Sequence, residues 1–402
     1  MSSIKRFMEQ QEHQGYYSLS NKYTCNNCMY TNSLKSYIKK HGQEGTCSYC
    51  KKKRKFTIDV NDLLGHILSS IYTEWGDPAN EGLPYETREG GWQFEVVYDT
   101  YELFELLGID CNEKLYCDIQ SSIHDGEWCA KNPYSLSYDQ SLLYGWNGFV
   151  KFVLNKSRYF FLKAENESYD KYQHDEIDPI AILDLLGDII KELNLVTKIT
   201  SNTNIYRVRV VNPNIQLNKA SDLGPPPNEL STMANRMSPV GISMFYGGFK
   251  RKTAIAETYV DTTDPKIAVT GLFRPCKELT LIDLSIDLGI PDIFDENPPL
   301  HKQKVQFLKG FINDFTKPIE RTDKAHIDYV PTQIITEFFR LVFKFDDNTC
   351  PDGIIYPSSK IKGEKALVIF ADSSQCIDKN TEFNPTHKLV LHKVTRYDPK
   401  NV

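Results

Sequence analysis

The chain has no apolar run that approaches the ~18 residues a helix needs to span a bilayer. Its first residues, Met1-Ser2-Ser3-Ile4-Lys5-Arg6, lack the apolar core of a secretory signal peptide. No Gly-x-Gly-x-x-Gly follows a strand pattern, which disfavours a Rossmann fold that uses NAD as a hydride carrier. We therefore expect a cytoplasmic protein that does not enter a membrane.

Composition is ordinary for a soluble globular protein, with 40% hydrophobic and 25% charged residues among 402. A chain of this length should form two or three domains, because single cores stop growing at roughly 250 to 300 residues. The net charge of −6 conceals an asymmetry. Residues 1–55 carry eleven Lys or Arg and three Glu, a local +8, so the remainder carries −14. The acidic remainder of the chain argues against a protein wrapped by nucleic acid. The basic residues 1–55 are nevertheless compatible with a local contact to an anion.

Two Cys-x-x-Cys pairs, Cys25 with Cys28 and Cys47 with Cys50, are separated by eighteen residues. This spacing predicts one tetrahedral site in which four thiolates lie about 2.3 Å from Zn²⁺. Such a site has no open position, so the zinc should be structural and hold a ribbon too small for its own core. A redox pair is the alternative, and it would need only one Cys-x-x-Cys.

The remaining cysteines follow no familiar metal spacing, even together with His124. In a reducing compartment a disulfide framework is not expected either. We predict buried thiols that pack as small hydrophobic side chains. They are Cys111, Cys117, Cys129, Cys276, Cys350 and Cys376.

Lys51-Lys52-Lys53-Arg54-Lys55 directly follows the last cysteine of the four. The run is interpreted either as a contact for nucleic acid or another anion, or as a solvated charge run that leads into a helix. We favour the second interpretation, because charge runs usually form solvated surface.

From residue 56 to 197 the apolar spacing is that of helices. The stripe from Asp59 to Trp75 repeats every three or four residues, and Asp99 with Glu102 forms a capping box for a helix closed by Gly108. Asp178 followed by Pro179 predicts the start of a long helix. Two further helices are predicted at 112–123 and 138–155.

After a linker at 200–204 the pattern alternates between strands and helices, which indicates an α+β domain. The predicted strands are 205–211, 242–246, 266–273, 278–284, 353–357, 365–370 and 387–396. The predicted helices are 253–260, 301–316 and 331–343.

Five short segments of this half place polar residues at the ends of strands or in a short helix, which is how a cleft is lined. Arginine forks grip phosphate oxygens, a carboxylate accepts from a ribose hydroxyl, and tyrosine offers a stacking face. A dinucleotide such as NAD fits these demands. The segments are Ile205-Tyr206-Arg207-Val208-Arg209, Asn235-Arg236-Met237-Ser238-Pro239, Met244-Phe245-Tyr246-Gly247-Gly248, Thr253-Ala254-Ile255-Ala256-Glu257 and the stretch from Asp352 to Ser359.

In order and spacing these segments resemble the RES domain, a bacterial toxin family that consumes NAD. The resemblance covers roughly residues 200–395 and implies a fold related to ADP-ribosyltransferases, with a split sheet around the NAD cleft. Many family members have Gly-Arg-Trp-Asn where this chain has residues 235–238, and a basic residue often seen after the serine turn is Lys360 here. The helical region resembles the N-terminal domain associated with HEPN and RES proteins. The HEPN ribonuclease pair of Arg and His is missing from 56–197, and we take Arg6 with His13 and Arg321 with His326 as coincidences of spacing.

The resemblance implies a role for each matching residue. Glu257 would stabilise the oxocarbenium-like transition state, and nicotinamide, which leaves as a neutral molecule, needs no second carboxylate as general acid. The catalytic set is Glu257, Arg207 and Ser358. The NAD-binding set consists of Arg236 and Tyr246, which match family positions, and of Tyr206, Tyr356 and Gln333, which we expect to support the site. Tyr206 and Tyr356 are equally interpreted as core aromatics with a satisfied hydroxyl.

The predicted function is cleavage of the nicotinamide–ribose bond by an NAD glycohydrolase or phosphorylase, acting as a toxin of a toxin–antitoxin or anti-phage system. ADP-ribosyl transfer to a protein is the alternative within enzymes. A zinc-ribbon regulator that binds nucleic acid, with an inactive RES scaffold, is the alternative of another class. Predicted boundaries are a flexible 1–20, a ribbon at 21–55, a helical domain at 56–200 and a catalytic domain at 201–402. The N-terminal domains would contact an antitoxin, sense a trigger or restrain the enzyme. The sequence is also compatible with a homo-oligomer.

Overall fold

Two units, each with its own core, make up the chain in the computed structural model. The N-terminal unit is Met1–Tyr138 with Gly289–Gln306, and the C-terminal unit is Asp139–Leu288 with Phe307–Val402. The structure describes residues 14–160, 175–259, 265–297, 300–318 and 325–399. The flexible N-terminus predicted at 1–20 lies largely outside these ranges, as do Arg6, His13 and Arg321.

The N-terminal unit begins with a small antiparallel sheet. Strands β1 (Tyr23–Cys25) and β2 (Gln43–Thr46) flank β3 (Lys53–Asp59), and helix α1 (Asn32–His41) connects the first two. The charge run therefore enters a strand before it reaches α2 (Val60–Glu74). Asp59 caps α2, because its side chain accepts from the Asn61 N–H.

Helix α2 provides the apolar stripe expected from its three-four spacing, and its buried side chains form the centre of the N-terminal core. The predicted capping box and Gly108 delimit α3 as expected. Several two- to four-residue strands also occur here, which the helical pattern did not reveal because so few residues carry no periodicity. The elements are β4 (Trp75–Gly76), β5 (Tyr85–Glu86), β6 (Gly91–Trp92), β7 (Tyr98–Asp99), α3 (Thr100–Leu107), α4 (Glu113–Ser122) and β8 (Glu127–Ala130).

The next two helices, α5 (Tyr138–Asn155) and α6 (Ile182–Glu192), introduce the C-terminal unit. The long helix predicted to start at Asp178 begins instead at Ile182, and it ends at Glu192, next to the last apolar position of its predicted stripe, Leu193. The Asp178 carboxylate accepts from the Ile180 N–H in a turn that precedes α6. Beyond α6, Asn194 takes a left-handed φ of 49°, and the chain enters β9 (Val196–Ile199), which pairs with β13. Strand β9 was not predicted, because its four residues are stabilised by pairing with a strand that lies far along the chain.

A nine-stranded mixed sheet forms the body of the C-terminal unit, in the order β16-β17-β12-β10-β11-β15-β14-β13-β9. The predicted α+β class is confirmed. Its other strands are β10 (Ile205–Val211), β11 (Phe245–Gly248), β12 (Ile267–Pro275), β13 (Leu279–Asp283), β14 (Gly353–Pro357), β15 (Lys365–Ile369), β16 (Cys376–Asp378) and β17 (Leu389–Tyr397).

The sheet is almost divided between β10 and β11. Strand β10 pairs with β12 along its whole length, whereas the register to β11 consists of Tyr206 opposite Gly248. The Arg207 Nη1 donates to the Tyr246 carbonyl oxygen at 2.9 Å and so bridges the two halves beside that pair. The nine strands nevertheless form one continuous sheet, and the split sheet implied by the resemblance stays a prediction.

Each face of the sheet packs against a short helix. One face carries a core around Ile205, Phe245 and Phe273, and on the other face α8 packs through Ala254 and Ile255. The predicted helices are present within two residues at each end. These three are α8 (Arg251–Thr258), α9 (Leu300–Thr316) and α11 (Val330–Leu341). Two short helices, α7 (Ala220–Leu223) and α10 (Ala325–Asp328), were not predicted.

The isolated cysteines divide into two groups. Cys111, Cys129 and Cys376 are buried as predicted, whereas the prediction was wrong for Cys117 and Cys350, which are exposed. Cys117 lies on the outer side of α4, whose inward positions include Leu115 and Ile119, and Cys350 lies in the loop before β14. Cys276 is half-buried.

Across the described ranges, no helix is both long enough and apolar enough to cross a membrane.

Candidate active site

The four predicted metal ligands converge in the N-terminal unit. The Sγ atom of Cys25 lies 3.7 Å from that of Cys28 and 3.8 Å from that of Cys50, and the Cys28 and Cys47 sulfurs are 3.7 Å apart. Thiolates at the corners of a zinc tetrahedron lie about 3.8 Å apart, whereas disulfide sulfurs lie about 2.05 Å apart. The spacing suits a metal centre. Within the described residues, no other group of three or more His, Cys, Asp and Glu side chains brings its ligand atoms within 4.8 Å of one another.

Tight turns aim these sulfurs inward. The Cys28 N–H donates to the Cys25 carbonyl at 2.9 Å, and the Lys51 N–H donates to the Cys47 carbonyl at 3.0 Å. In the basic run, Arg54 is only partly exposed. The four lysines of the run are exposed to solvent.

In the C-terminal unit, a serine holds the carboxylate proposed for catalysis. Glu257 lies in the last turn of α8, and Ser358 directly follows β14. The Ser358 Oγ donates to the Glu257 Oε1 at 2.5 Å and accepts from the N–H groups of Lys360 and Ile361, each at 3.2 Å. The serine therefore closes its own turn and also orients the carboxylate.

Two tyrosines stand beside this pair. Burial, followed by the charge of Glu257, raises the pKa of Tyr356 well above its ordinary value. Burial likewise raises the pKa of Tyr246 to about 12. The Tyr246 hydroxyl accepts from the Met237 N–H at 3.3 Å and shares a 3.0 Å hydrogen bond with the Ser238 Oγ. Both phenols are thus neutral at neutral pH.

Arg236 reaches the same group from the loop before β11. Its Nη1 donates to the Phe315 carbonyl at 2.8 Å, and its charge lowers the pKa of Tyr356 against the larger effect of burial. The Thr332 hydroxyl donates to the Arg236 carbonyl at 2.5 Å. The arginine is consequently fixed through both its side chain and its backbone.

Gln333 supports the loop from beneath. It is buried, and its Nε2 donates to the carbonyl oxygens of Asn235, at 2.8 Å, and Ser238, at 3.3 Å. These two hydrogen bonds hold the backbone of the loop that carries Arg236.

Arg207 and Tyr206 project to opposite faces of β10, because successive side chains of a strand alternate. Tyr206 packs on the α8 face, with the Arg251 guanidinium 5.6 Å from its ring. Arg207 shares the other face with Phe245, whose ring lies 5.1 Å from its guanidinium, and its Nε is shielded without a hydrogen-bond partner. Burial, followed by the charge of Arg209, lowers the pKa of Arg207 to about 10.

The structure thus brings five predicted residues together and places the others around them. Arg207 contacts the cluster through the backbone of Tyr246. Tyr206 packs on the α8 face of the sheet, and Gln333 holds the loop that carries Arg236. The cluster consists of Glu257, Ser358, Tyr356, Tyr246 and Arg236.

Two family models match this chain. HEPN/RES N-terminal domain 1 matches residues 40–167, and the RES domain matches residues 205–392. The C-terminal half is a RES domain. Every cluster residue lies within that match, and the layout expected from the resemblance is confirmed. No curated protein and no solved structure matches the chain.

A second contact between α8 and the turn at Ser358 in the RES domain was not predicted from the sequence. The Lys250 Nζ forms a 2.6 Å ion pair with the Glu364 Oε1, and the Glu364 carbonyl accepts from the Ser358 N–H at 2.8 Å. The turn is therefore held at both ends of α8. Lys250 and Glu364 are 114 positions apart and carry no local pattern that would have paired them.

Two clefts in the N-terminal unit, of about 300 and 700 Å³, contain no residue of the cluster. The smaller is lined by α2, by residues of 291–297 and by His301 and Lys302, and the larger lies between the second cysteine pair and α4.

Proposed function

We propose that the RES domain cleaves the bond between nicotinamide and ribose in NAD. The observation that carries this proposal is the Glu257 carboxylate, held by the Ser358 hydroxyl at 2.5 Å beside two neutral phenols and the Arg236 guanidinium. RES domains act on NAD, and a single oriented carboxylate suits a reaction whose leaving group departs neutral.

In this mechanism the carboxylate acts on the sugar. Glu257 stabilises the positive charge that develops on the ribose and accepts a hydrogen bond from its 2′-hydroxyl. Ser358 fixes the carboxylate so that little reorganisation is needed during the reaction. Tyr246 and Tyr356 form the wall against which the nicotinamide ring packs.

An arginine supplies the positive charge for the diphosphate. Arg236 keeps Nε and Nη2 without described hydrogen-bond partners after its contact with Phe315. Guanidinium groups bind phosphate oxygens through such paired N–H groups. Arg207 instead lies beside Phe245 on the other face of the sheet with its Nε shielded, so its role would be to hold the backbone of Tyr246.

The four-cysteine centre belongs to a separate part of the proposal. Zn²⁺ held by Cys25, Cys28, Cys47 and Cys50 would cross-link the two turns of the ribbon and leave no position for a substrate. Its role would be structural.

The test is release of nicotinamide from NAD by the purified full-length protein, followed by chromatography. Glu257→Gln should lower kcat roughly 100- to 1000-fold with an unchanged thermal melt. Glu278→Gln is the matched control, because Glu278 is an exposed carboxylate whose partner is Lys198 at 2.9 Å. Wild-type turnover in Glu257→Gln would refute the mechanism.

The acceptor of the ADP-ribosyl group is decided by the products. Reactions with and without inorganic phosphate would give ADP-ribose if water attacks and ADP-ribose 1″-phosphate if phosphate attacks. A mass increase on a protein would identify a transferase instead.

Depletion of NAD would make the protein a toxin, and we place it in a toxin–antitoxin or anti-phage system. Partners for the N-terminal unit, such as an antitoxin, a trigger molecule or nucleic acid at Lys51–Lys55, belong to the same proposal. Mutating all four exposed lysines of that run to Gln should abolish a salt-dependent gel shift if the run binds nucleic acid.

A further inference from the structure

One segment of the RES match belongs to the other unit. Residues 205–392 match the RES domain, yet Gly289–Gln306 is part of the N-terminal unit. This segment follows β13 and ends inside α9. We call Gly289–Gln306 the docking arm and consider its described residues, 289–297 and 300–306.

An aromatic side chain anchors the docking arm. Phe294 is 1% exposed and lies in the N-terminal core with Leu34 and Ile38 of α1. The His66 Nε2 lies 3.0 Å from the Phe294 carbonyl oxygen, and the Tyr37 ring stacks on His66 with centroids 3.8 Å apart. Both the ring and the backbone of Phe294 are therefore engaged.

Charges on the docking arm complement those at the end of α1. The Glu296 carboxylate contacts the Lys40 Nζ at 3.0 Å and the His41 Nε2 at 2.7 Å. The Ser33 Oγ, at the start of the same helix, donates to the Asp292 Oδ2 at 2.6 Å. An acidic segment meets the basic last turn of a helix, where its carbonyl dipoles also favour the cations.

The arm continues into a helix that ends at the candidate site. Lys302, in the first turn of α9, contacts both carboxylate oxygens of Glu74, at 2.8 and 3.0 Å. Phe315, in the last turn of α9, accepts the hydrogen bond from Arg236. One continuous helix thus joins a contact made by the arm to the arginine of the cluster.

We propose that the docking arm is the surface through which the RES domain recognises its N-terminal unit, and that docking holds Arg236 in the position that binds NAD. The first part rests on the contacts above. The second part also rests on the proposed function. On this account the N-terminal unit supports the site, and release of the arm weakens the grip on substrate while the carboxylate chemistry stays intact.

Hydrogen exchange of the full chain, measured peptide by peptide, tests the docking without reference to activity. Glu296→Lys places a cation against Lys40 and His41, and Lys40→Glu with Glu296→Lys restores an opposite pair. Glu44→Lys is the control, because Glu44 lies outside the contacts of the arm. Its Oε1 makes an exposed ion pair with the Lys53 Nζ at 2.7 Å.

We expect Glu296→Lys to speed exchange in residues 289–297 and 231–238 by about tenfold or more, and the double variant to restore it. Phe294→Ala should produce the same change more strongly, and Glu44→Lys should leave both peptides as in the wild type. Unchanged exchange at 289–297 in both Glu296→Lys and Phe294→Ala would overturn the docking. Faster exchange at 289–297 with wild-type exchange at 231–238 would overturn the link to Arg236. If Phe294→Ala also speeds hydrogen exchange in β1, β2 and β3, the result for Glu296→Lys decides whether the docking is correct.

Kinetics then test the consequence for NAD. Glu296→Lys should raise the KM for NAD by about five- to tenfold with kcat within about twofold, the pattern of lost binding. A fall in kcat at unchanged KM would contradict the proposal. If the wild-type protein releases no nicotinamide, the proposed function fails, while the exchange experiment still decides the docking.

Discussion

Ser358 shows how one side chain serves both the fold and the candidate chemistry. Its hydroxyl accepts from two N–H groups of its own turn and donates to Glu257. A serine after Tyr-Pro is commonly a turn residue. The bond to Glu257 joins residues 101 positions apart, so only the folded chain reveals the second role.

Replacing this hydroxyl should therefore affect activity and stability together. Ser358→Ala removes the donor to Glu257, and we expect kcat to fall about 10- to 100-fold and the free energy of unfolding to fall by about 1–2 kcal/mol. Ser358→Thr keeps a hydroxyl and should retain most activity. Nicotinamide release and urea unfolding measure the two effects.

Ser374 offers the matched control for that experiment. Its Oγ donates to the Asp372 carboxylate at 2.6 Å in an exposed turn outside the cluster. Ser374→Ala should leave kcat at the wild-type value. Equal losses in both variants would mean that Ser358 acts only through general stability.

At the scale of elements, the near-division of the sheet between β10 and β11 positions the site. Gly247 precedes Gly248, which pairs with Tyr206 in this junction, and a Cβ added to Gly247 would come within 2.8 Å of the Ile205 Cγ2 and 3.0 Å of the Tyr206 carbonyl oxygen. The close approach of the two strands therefore leaves no room for a side chain at this position. Glycine is therefore required at this point by close approach of the strands.

Gly247→Ala should accordingly destabilise the C-terminal unit by about 1–3 kcal/mol, the usual cost of overpacking. Circular dichroism during urea unfolding would measure it. Gly126→Ala serves as the control, because the nearest atom to its added Cβ is the Trp128 Nε1 at 3.8 Å. An unfolding midpoint equal to that of the wild type would show that the strands can separate without cost.

At the scale of the whole molecule, the two units should respond differently to loss of metal. A ribbon of this size depends on its cross-link, and structural zinc contributes about 10–16 kcal/mol of apparent binding free energy at neutral pH. We expect one zinc per chain by elemental analysis. A strong chelator should lower the melting temperature of the N-terminal unit and leave the melt of the C-terminal unit in place.

Cysteine variants separate the metal centre from the isolated thiols. Cys28→Ser should reproduce the effect of the chelator, since Cys28 is buried among the four sulfurs. Cys117→Ser should bind zinc and melt as the wild type does, because Cys117 is exposed. Full zinc content in Cys28→Ser would contradict the assignment of the four ligands.

The division into units also bears on where the chain can be shortened. A cut at residue 197 would remove α5 and α6, which belong to the C-terminal unit. There the Trp146 Nε1 donates to the Asp314 Oδ2 at 2.9 Å, and Gly187 packs against Phe343. A cut at 138 would leave Phe294 without the core that buries it. The boundaries predicted at 55 and 200 remain predictions.

The amino-acid sequence by itself determined the local features of this protein. Cysteine spacing predicted the ribbon, periodicity placed α2 and most strands, and five short motifs pointed to the RES domain. These signals lie within a few residues of each other, where helix geometry, strand alternation and ligand spacing act directly on the chain.

Tertiary structure decided everything that depends on distant pairing. It placed Val196–Ile199 in β9 beside β13, set Arg207 on the face of the sheet opposite Tyr206, and joined Lys250 to Glu364. It also placed Gly289–Gln306 in the N-terminal unit, although the motif order assigns that segment to the catalytic half. A buried phenyl ring and an ion pair select partners by complementarity in space, and no spacing along the chain encodes that choice.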